Sequence, residues 1–339
     1  MISGRDKTID VAKGICILMM PLAHLFFLAR HKSIIEFNDN YLVVFKLPFF
    51  VIISGYLFSE KGSLRDFVKM KIDRYLKPVF SIFILSSLIL SFSLLKDGFF
   101  DTQTYFLRSI TFIVDVYYPL WFVFALCFAQ IVFRFLLYVV NKTFGREFLL
   151  LFVALIIFSM PLLPHLIYEV HLKRFFYVIL YFTVFIYIGY LIKREGFMDK
   201  LLGYKALIGS AILFILYIAF MDLLSIDVYL WMGIFEPFVP ATIVSLSGTV
   251  LLLNISKLIS KNNFISKLLF VFSRSSLFIL SFHVLLGNFF IYPLFRRYFN
   301  ESLAVDVIGF LVTILLCLPF RFIIMRIKYF NNLILPVRI

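Results

Sequence analysis

The chain has 339 residues, of which 63% are hydrophobic, 19% aromatic and only 15% charged. So much apolar surface excludes a soluble globular domain and points to a polytopic membrane protein. The net charge of +14 is not a nucleic-acid signal, because the basic residues fall almost entirely between apolar runs.

A basic start leads into an apolar run at 9–30, "DVAKGICILMMPLAHLFFLAR" from residue 10. It is too long for a signal-peptide core and lacks a small-x-small cleavage site, so it is expected to remain as the first span. Lys13 and His24 sit inside it, and each needs a reason to be in hydrocarbon. On a continuous helix, eleven residues put them about 20° apart around the axis and about 16 Å apart along it, on one face. Asp10 lies one turn below Lys13, so a Lys-Asp contact competes with a ligand role for Lys13. His24 is too deep to snorkel. It reads either as a general base or as a neutral histidine bonded to another helix.

The second span, at 41–59, contains "FKLPFFVIISGYLFSEK". Pro48 frees a carbonyl near its outer end, and Ser54-Gly55 permits close helix approach or a local kink. Directly inside comes "KGSLRDFVKMKIDRYLKP" (61–78), whose basic residues mark topology and also suit a polyanionic ligand. Further spans are expected at 76–95, 117–140, 148–165, 175–192, 206–224, 238–256, 273–293 and 303–325. "YYPLWFVFAL" (117–126) opens the fourth, where an aromatic belt is the stronger reading for Trp121. His283, about 15 Å into the ninth span, is at mid-membrane depth, where a structural hydrogen bond and convergence with His24 are both open. His165, Glu169 and His171 are read as solvated residues of an outer segment. Cys16, Cys127 and Cys317 lie in separate apolar runs and read as buried thiols, with no disulfide framework and no metal site.

Ten spans with both termini cytoplasmic put 24 of the 33 basic residues in inner segments and eight in outer ones. The expected fold is therefore an all-α polytopic transmembrane bundle, one membrane domain over 1–339.

The ordered set of stretches resembles the acyltransferase 3 family of integral-membrane acyltransferases, of the fucose-acetylase-like and O-antigen acetyltransferase type. A first-span (Arg/Lys)-x10-His pattern is met by Lys13 and His24. A "F-x-x-P-F-F-x-x-x-S-G-Y-L-F" run is met from Phe45 through Pro48, Ser54, Gly55 and Tyr56 to Phe58. Arg74 and Pro78 match "R-x-x-x-P", "LWF" includes Trp121, and His283 ends "FILSFH". The first-span basic residue is Lys rather than the commoner Arg, and Lys46 stands where related sequences often carry His.

The resemblance implies an acetyl-CoA-dependent O-acetyltransferase of the bacterial cytoplasmic membrane. Acyl groups, acetyl by default, would pass from cytoplasmic acyl-CoA to a hydroxyl of a cell-surface or lipid-linked carbohydrate. Acyl-CoA is then a substrate, with no permanently bound cofactor and no nucleic-acid partner. Lys13, Arg74 and Lys77 would hold the donor, His24 would take the hydroxyl proton or carry the acyl group, and Ser54 is a candidate oxyanion donor. Asp10, Gly55, Tyr56, Trp121 and His283 are supporting positions. A polysaccharide or lipid-linked-sugar exporter is the alternative from another functional class, though no transporter-type repeat is visible and few acids lie within spans.

Overall fold

The computed structural model describes residues 6–82, 84, 120–143, 171–230 and 234–326. In chain order the first helices are α1 (Lys7–Met19), α2 (Phe26–Ala29), α3 (Lys32–Phe37), α4 (Val43–Tyr56), α5 (Leu64–Lys71), α6 (Trp121–Thr143) and α7 (His171–Arg194). Short α8 (Met198–Leu201) and long α9 (Tyr204–Leu224) lead to a β-ribbon, β1 (Asp227–Tyr229) and β2 (Ile234–Glu236). Then come α10 (Phe238–Ile259), α11 (Asn263–Arg274), α12 (Ser276–Leu286), α13 (Tyr292–Tyr298) and α14 (Leu303–Arg326).

Asp6 starts α1 by accepting hydrogen bonds from the Thr8 and Ile9 amides. The helix ends at Met19, and Met20–Ala23 form a 3₁₀ turn with Pro21 in its first positions. Pro21 has no amide hydrogen to continue an α-helical ladder, and its ring crowds the carbonyl four residues earlier. Leu25 is then extended (φ −90°, ψ 126°) before α2 begins. The expectation of one continuous first span that sets Lys13 and His24 on a common face is therefore corrected. A tighter turn and an extended residue intervene, so the helical angle no longer relates the two side chains.

Among the described residues, seven helices are long and apolar enough to cross a membrane: Lys32–Tyr56, Trp121–Val140, Phe175–Arg194, Tyr204–Leu224, Phe238–Ile259, Ser276–Tyr298 and Leu303–Ile323. They coincide with seven of the ten expected spans. The expected first span is the broken segment just described, while most of 76–95 and all of 148–165 lie outside the described residues, as do His165 and Glu169.

Glycine lets the central helices touch backbone to backbone. A Cβ on Gly55 of α4 would lie 2.1 Å from the Ile186 carbonyl oxygen of α7, and one on Gly189 would lie 1.9 Å from that of Ile52. A Cβ on Gly14 of α1 would lie 2.2 Å from the Leu269 oxygen of α11. Small residues at such crossings are how apolar helices associate where lipid gives no hydrophobic drive. By contrast, α9 turns a large apolar surface outward, with Ile215 63% and Leu223 81% exposed. That is the character of a helix facing lipid.

The β-ribbon departs from the all-helical expectation. Val228 pairs with Phe235, whose side chain is fully buried against Tyr181 and Phe185. Tyr181 also donates from its hydroxyl to the Phe235 carbonyl at 3.1 Å. Aromatic packing against α7 thus holds a short ribbon that three-residue strands would not sustain alone.

Candidate active site

One cavity of about 500 Å³ opens among α1, α4, α6, the α5 region, α12 and α14. Its walls follow helical spacing. Lys13, Ile17 and Met20 come from the first segment, and Phe50, Ser54 and Leu57 from α4. Lys71, Arg74 and Tyr75 share one face where α5 passes into a π-type turn at Ile72–Leu76. Phe122, Val123 and Leu126 line it from α6, and Ser273, Arg274, Ser276, Leu277 and Leu280 from the α11–α12 junction, with Arg321 from α14. Five basic side chains face this space, and no carboxylate among the described residues does. The volume falls within the roughly 300–1,000 Å³ of small-molecule sites.

The polar groups are held from behind. Gln130 of α6, 1% exposed, donates its amide to Ser54 Oγ and at 3.1 Å to the Tyr75 hydroxyl, tying two walls together. Lys71 packs its ammonium over the Phe67 ring at 4.9 Å. Burial pushes its pKa down to about 8, Arg74 pushes the same way, and Cys127 opposes them. It stays mostly protonated at neutral pH. Arg321 reaches the Ser275 hydroxyl at 3.4 Å.

Beyond Met20 and Leu280, within about a turn in sequence, stand His24 and His283. Their ring centroids are 5.6 Å apart. His283 is fully buried, and its Nδ1 lies 2.8 Å from the Ile279 carbonyl oxygen. A carbonyl only accepts, so Nδ1 carries the proton in the neutral ring and Nε2 presents a lone pair. That Nε2 is buried with no hydrogen-bond partner among the described residues. An acceptor nitrogen in an apolar surround beside a second, half-buried imidazole is a proton-handling arrangement.

The break at His24 is itself clamped. Asn288, 7% exposed and in the π-type turn Gly287–Ile291, donates to the His24 carbonyl at 2.8 Å and accepts from the Phe26 amide at 2.9 Å. It bridges the extended Leu25 that helical bonding cannot span. A third π-type turn, Asn38–Leu42, supplies Asn38 to the buried Lys46. Each of the three π-type turns among the described residues therefore aims a polar side chain inward.

Of the residues singled out in the sequence, the structure brings Lys13, Arg74 and Ser54 to one cavity and His24 to His283. Lys77 is not among the residues lining the cavity and pairs with Asp73 at 3.3 Å. Gly55, about 100° round α4 from Ser54, packs against the α7 backbone at Ile186. Tyr56 does not reach the cavity lining, and Asp10 is buried in α1 outside it. Trp121 lies 6.2 Å from Phe182 while its neighbour Phe122 faces the cavity. The three cysteines are free and buried. Sequence reasoning assigned no site role to Lys71, Gln130, Ser273, Arg274, Asn288 or Arg321. Only a polar residue within or at the end of an apolar run marked most of them, and that signal is common to many residues that merely pack.

At the opposite end from the basic cavity, Asp306 is fully buried among cations. It accepts from Arg30 Nε and His31 Nε2, each at 2.7 Å, and from Arg296, while Glu301 pairs with Arg30 at 2.7 Å. This ties the segment after α2 to α13 and α14, closing the bundle beside His24.

Comparison with known families gives a match over residues 6–322 to a family model described as an acyltransferase domain. No curated protein and no solved structure matches the chain.

Proposed function

Taking as premise that the chain belongs to this acyltransferase family, the acyltransferase 3 family, we propose that it is an O-acetyltransferase using acetyl-CoA to acylate a hydroxyl of a surface or lipid-linked carbohydrate. One observation carries the reading: a cavity with five cations and no carboxylate among its described lining residues ends near the half-buried His24 and the buried His283. A coenzyme A donor is a polyanion with a thioester at the far end of a long arm, which fits such a gradient from charge to neutrality.

In the reaction the acceptor hydroxyl oxygen attacks the thioester carbonyl, the new C–O bond forms and the C–S bond breaks. His24 takes the hydroxyl proton and returns it to the departing thiolate, so protons and electrons balance. His283, its ring centroid 5.6 Å from that of His24, packs beside the base and offers Nε2 as a second acceptor. Ser54, whose Oγ accepts from Gln130, keeps its own hydroxyl hydrogen for the carbonyl oxygen that becomes anionic. Positioned general-base help contributes about 10²- to 10⁴-fold.

The charge bias of the sequence supports cytoplasmic entry of the donor, since all five cavity cations come from segments read as inner. The test is acetyl-CoA turnover by membranes or detergent-solubilised protein, followed as thiol release with a carbohydrate acceptor. His24→Ala is expected to abolish acetyl transfer at unchanged protein level, and Lys13→Arg to keep it. Full activity in H24A removes His24 from the chemistry. Absence of both donor binding and thiol release at millimolar acetyl-CoA rejects acyl transfer from this donor in favour of transport.

A further inference from the structure

The basic cavity is not uniformly basic. Besides Lys13 on α1, its cations fall into two groups on different elements: Lys71 and Arg74 where α5 enters the π-type turn, and Arg274 and Arg321 at the α11–α12 junction and on α14. Within each group the like charges lie close enough to act on one another. Two pairs of cations on different elements, with no carboxylate among the described residues lining the cavity, suit a ligand with two anionic groups better than one with a single centre of charge.

The second group has features the first lacks. It surrounds the start of α12, an eleven-residue helix whose first turn has no side-chain cap. The first turn of a helix carries partial positive charge and outward amide hydrogens, which favour phosphate. Ser273, 6% exposed, lines the cavity there, and its buried Oγ has no hydrogen-bond partner among the described residues. A buried hydroxyl left unpaired is costly, and a ligand oxygen would satisfy it. Arg321, held at Ser275, offers a planar fork for two oxygens of one phosphate.

Resting on the acyl-CoA reading, we propose that the cavity has two phosphate subsites, and that Ser273, Arg274 and Arg321 at the α12 N-terminus bind the terminal ribose phosphate monoester of the donor. Lys71 and Arg74 bind its pyrophosphate. The monoester is a dianion with three terminal oxygens, which matches two guanidinium groups, a hydroxyl and a helix N-terminus. The pyrophosphate carries one charge per phosphorus and suits two flexible cations.

The experiment compares kcat/KM for acetyl-CoA and for acetyl-3′-dephospho-CoA in the wild type and in Ser273→Ala, Arg321→Lys, Arg321→Ala and Arg74→Ala. The wild type is expected to prefer the complete donor by about 10- to 100-fold, the scale of a few charge-assisted hydrogen bonds. S273A and R321K should reduce that preference and R321A should bring it near one, while R74A lowers both donors alike and keeps the ratio. S273A is a small change that tests the proposal even where R321A folds poorly. A wild type indifferent to the phosphate, a ratio untouched by S273A and R321K, or a ratio collapsed by R74A overturns the assignment. Turnover with equal use of both donors sinks only the subsite, whereas no turnover and no thiol release with either sinks the acyl-CoA reading beneath it.

Discussion

Replacing Asn288 by Leu removes the two hydrogen bonds that bridge the chain break at His24 while nearly conserving volume. The bonds are 2.8 Å to the His24 carbonyl and 2.9 Å from the Phe26 amide. Neither group has a ready helical substitute, because Leu25 is extended and the Leu28 amide already bonds the Leu25 carbonyl at 3.2 Å. Unpaired buried groups cost about 1–3 kcal/mol each, so up to about 2–6 kcal/mol bears on the local geometry of the break. Global stability should respond far less, since interhelical hydrogen bonds in membranes average about 0.6 kcal/mol when the unfolded chain also finds partners. The discriminating assay is therefore turnover. A displacement of His24 by about 1 Å costs on the order of 10²-fold in rate. On the proposed acetyl transfer, N288L should lose about that much kcat while the KM for acetyl-CoA, whose proposed site is the basic cavity, stays as in the wild type. A variant with wild-type kcat refutes the view that Asn288 positions His24. A raised donor KM with unchanged kcat would move Asn288 to the donor site instead.

Four further outcomes follow from the geometry. Lys71→Ala should raise the donor KM by about 10-fold or more, the scale of a lost charge-assisted hydrogen bond, and Lys77→Ala should leave it unchanged; parity of the two variants would undo the separation of their roles. Because Lys71 loses its proton from about pH 8 upwards, donor KM should rise above that pH and Lys71→Arg should flatten the rise. The stability sign is opposite: with an unfolded value near 10.5, the unfolded chain binds more protons between the two values, so stability without donor gains over that window. Gly189→Ala would put a methyl group 1.9 Å from the Ile52 carbonyl oxygen; thermal unfolding should show a loss of about 1–3 kcal/mol or more, and an unshifted melting curve would contradict the α4–α7 contact. Asp306→Ala leaves Arg30 and Arg296 without their shared buried carboxylate and should cost about 3–5 kcal/mol, read as a marked fall in melting temperature.

What the sequence determined by itself was set by solvent preference along the chain. Apolar runs of bilayer length located seven helices, six of them to within about five residues at each end, because hydrocarbon demands that each backbone satisfy itself locally. The cost of a polar group in lipid singled out Lys13, His24 and His283, and motif order identified the family. Pro21 was visible too, and the helix break it causes was legible in principle; the assumption of one unbroken helix concealed it. The rest depended on which segments meet. Lys13, Lys71, Arg74, Arg274 and Arg321 come from four stretches of sequence, so no local pattern shows that they share a cavity or that Lys77, six residues from Lys71, is outside it. Asn288 lies 264 residues from the carbonyl it holds. Its role exists only because α12 and the broken first segment pack side by side. Depth in the membrane is a one-dimensional property that hydropathy encodes; convergence is three-dimensional, and helix packing through Gly14, Gly55 and Gly189 decides it.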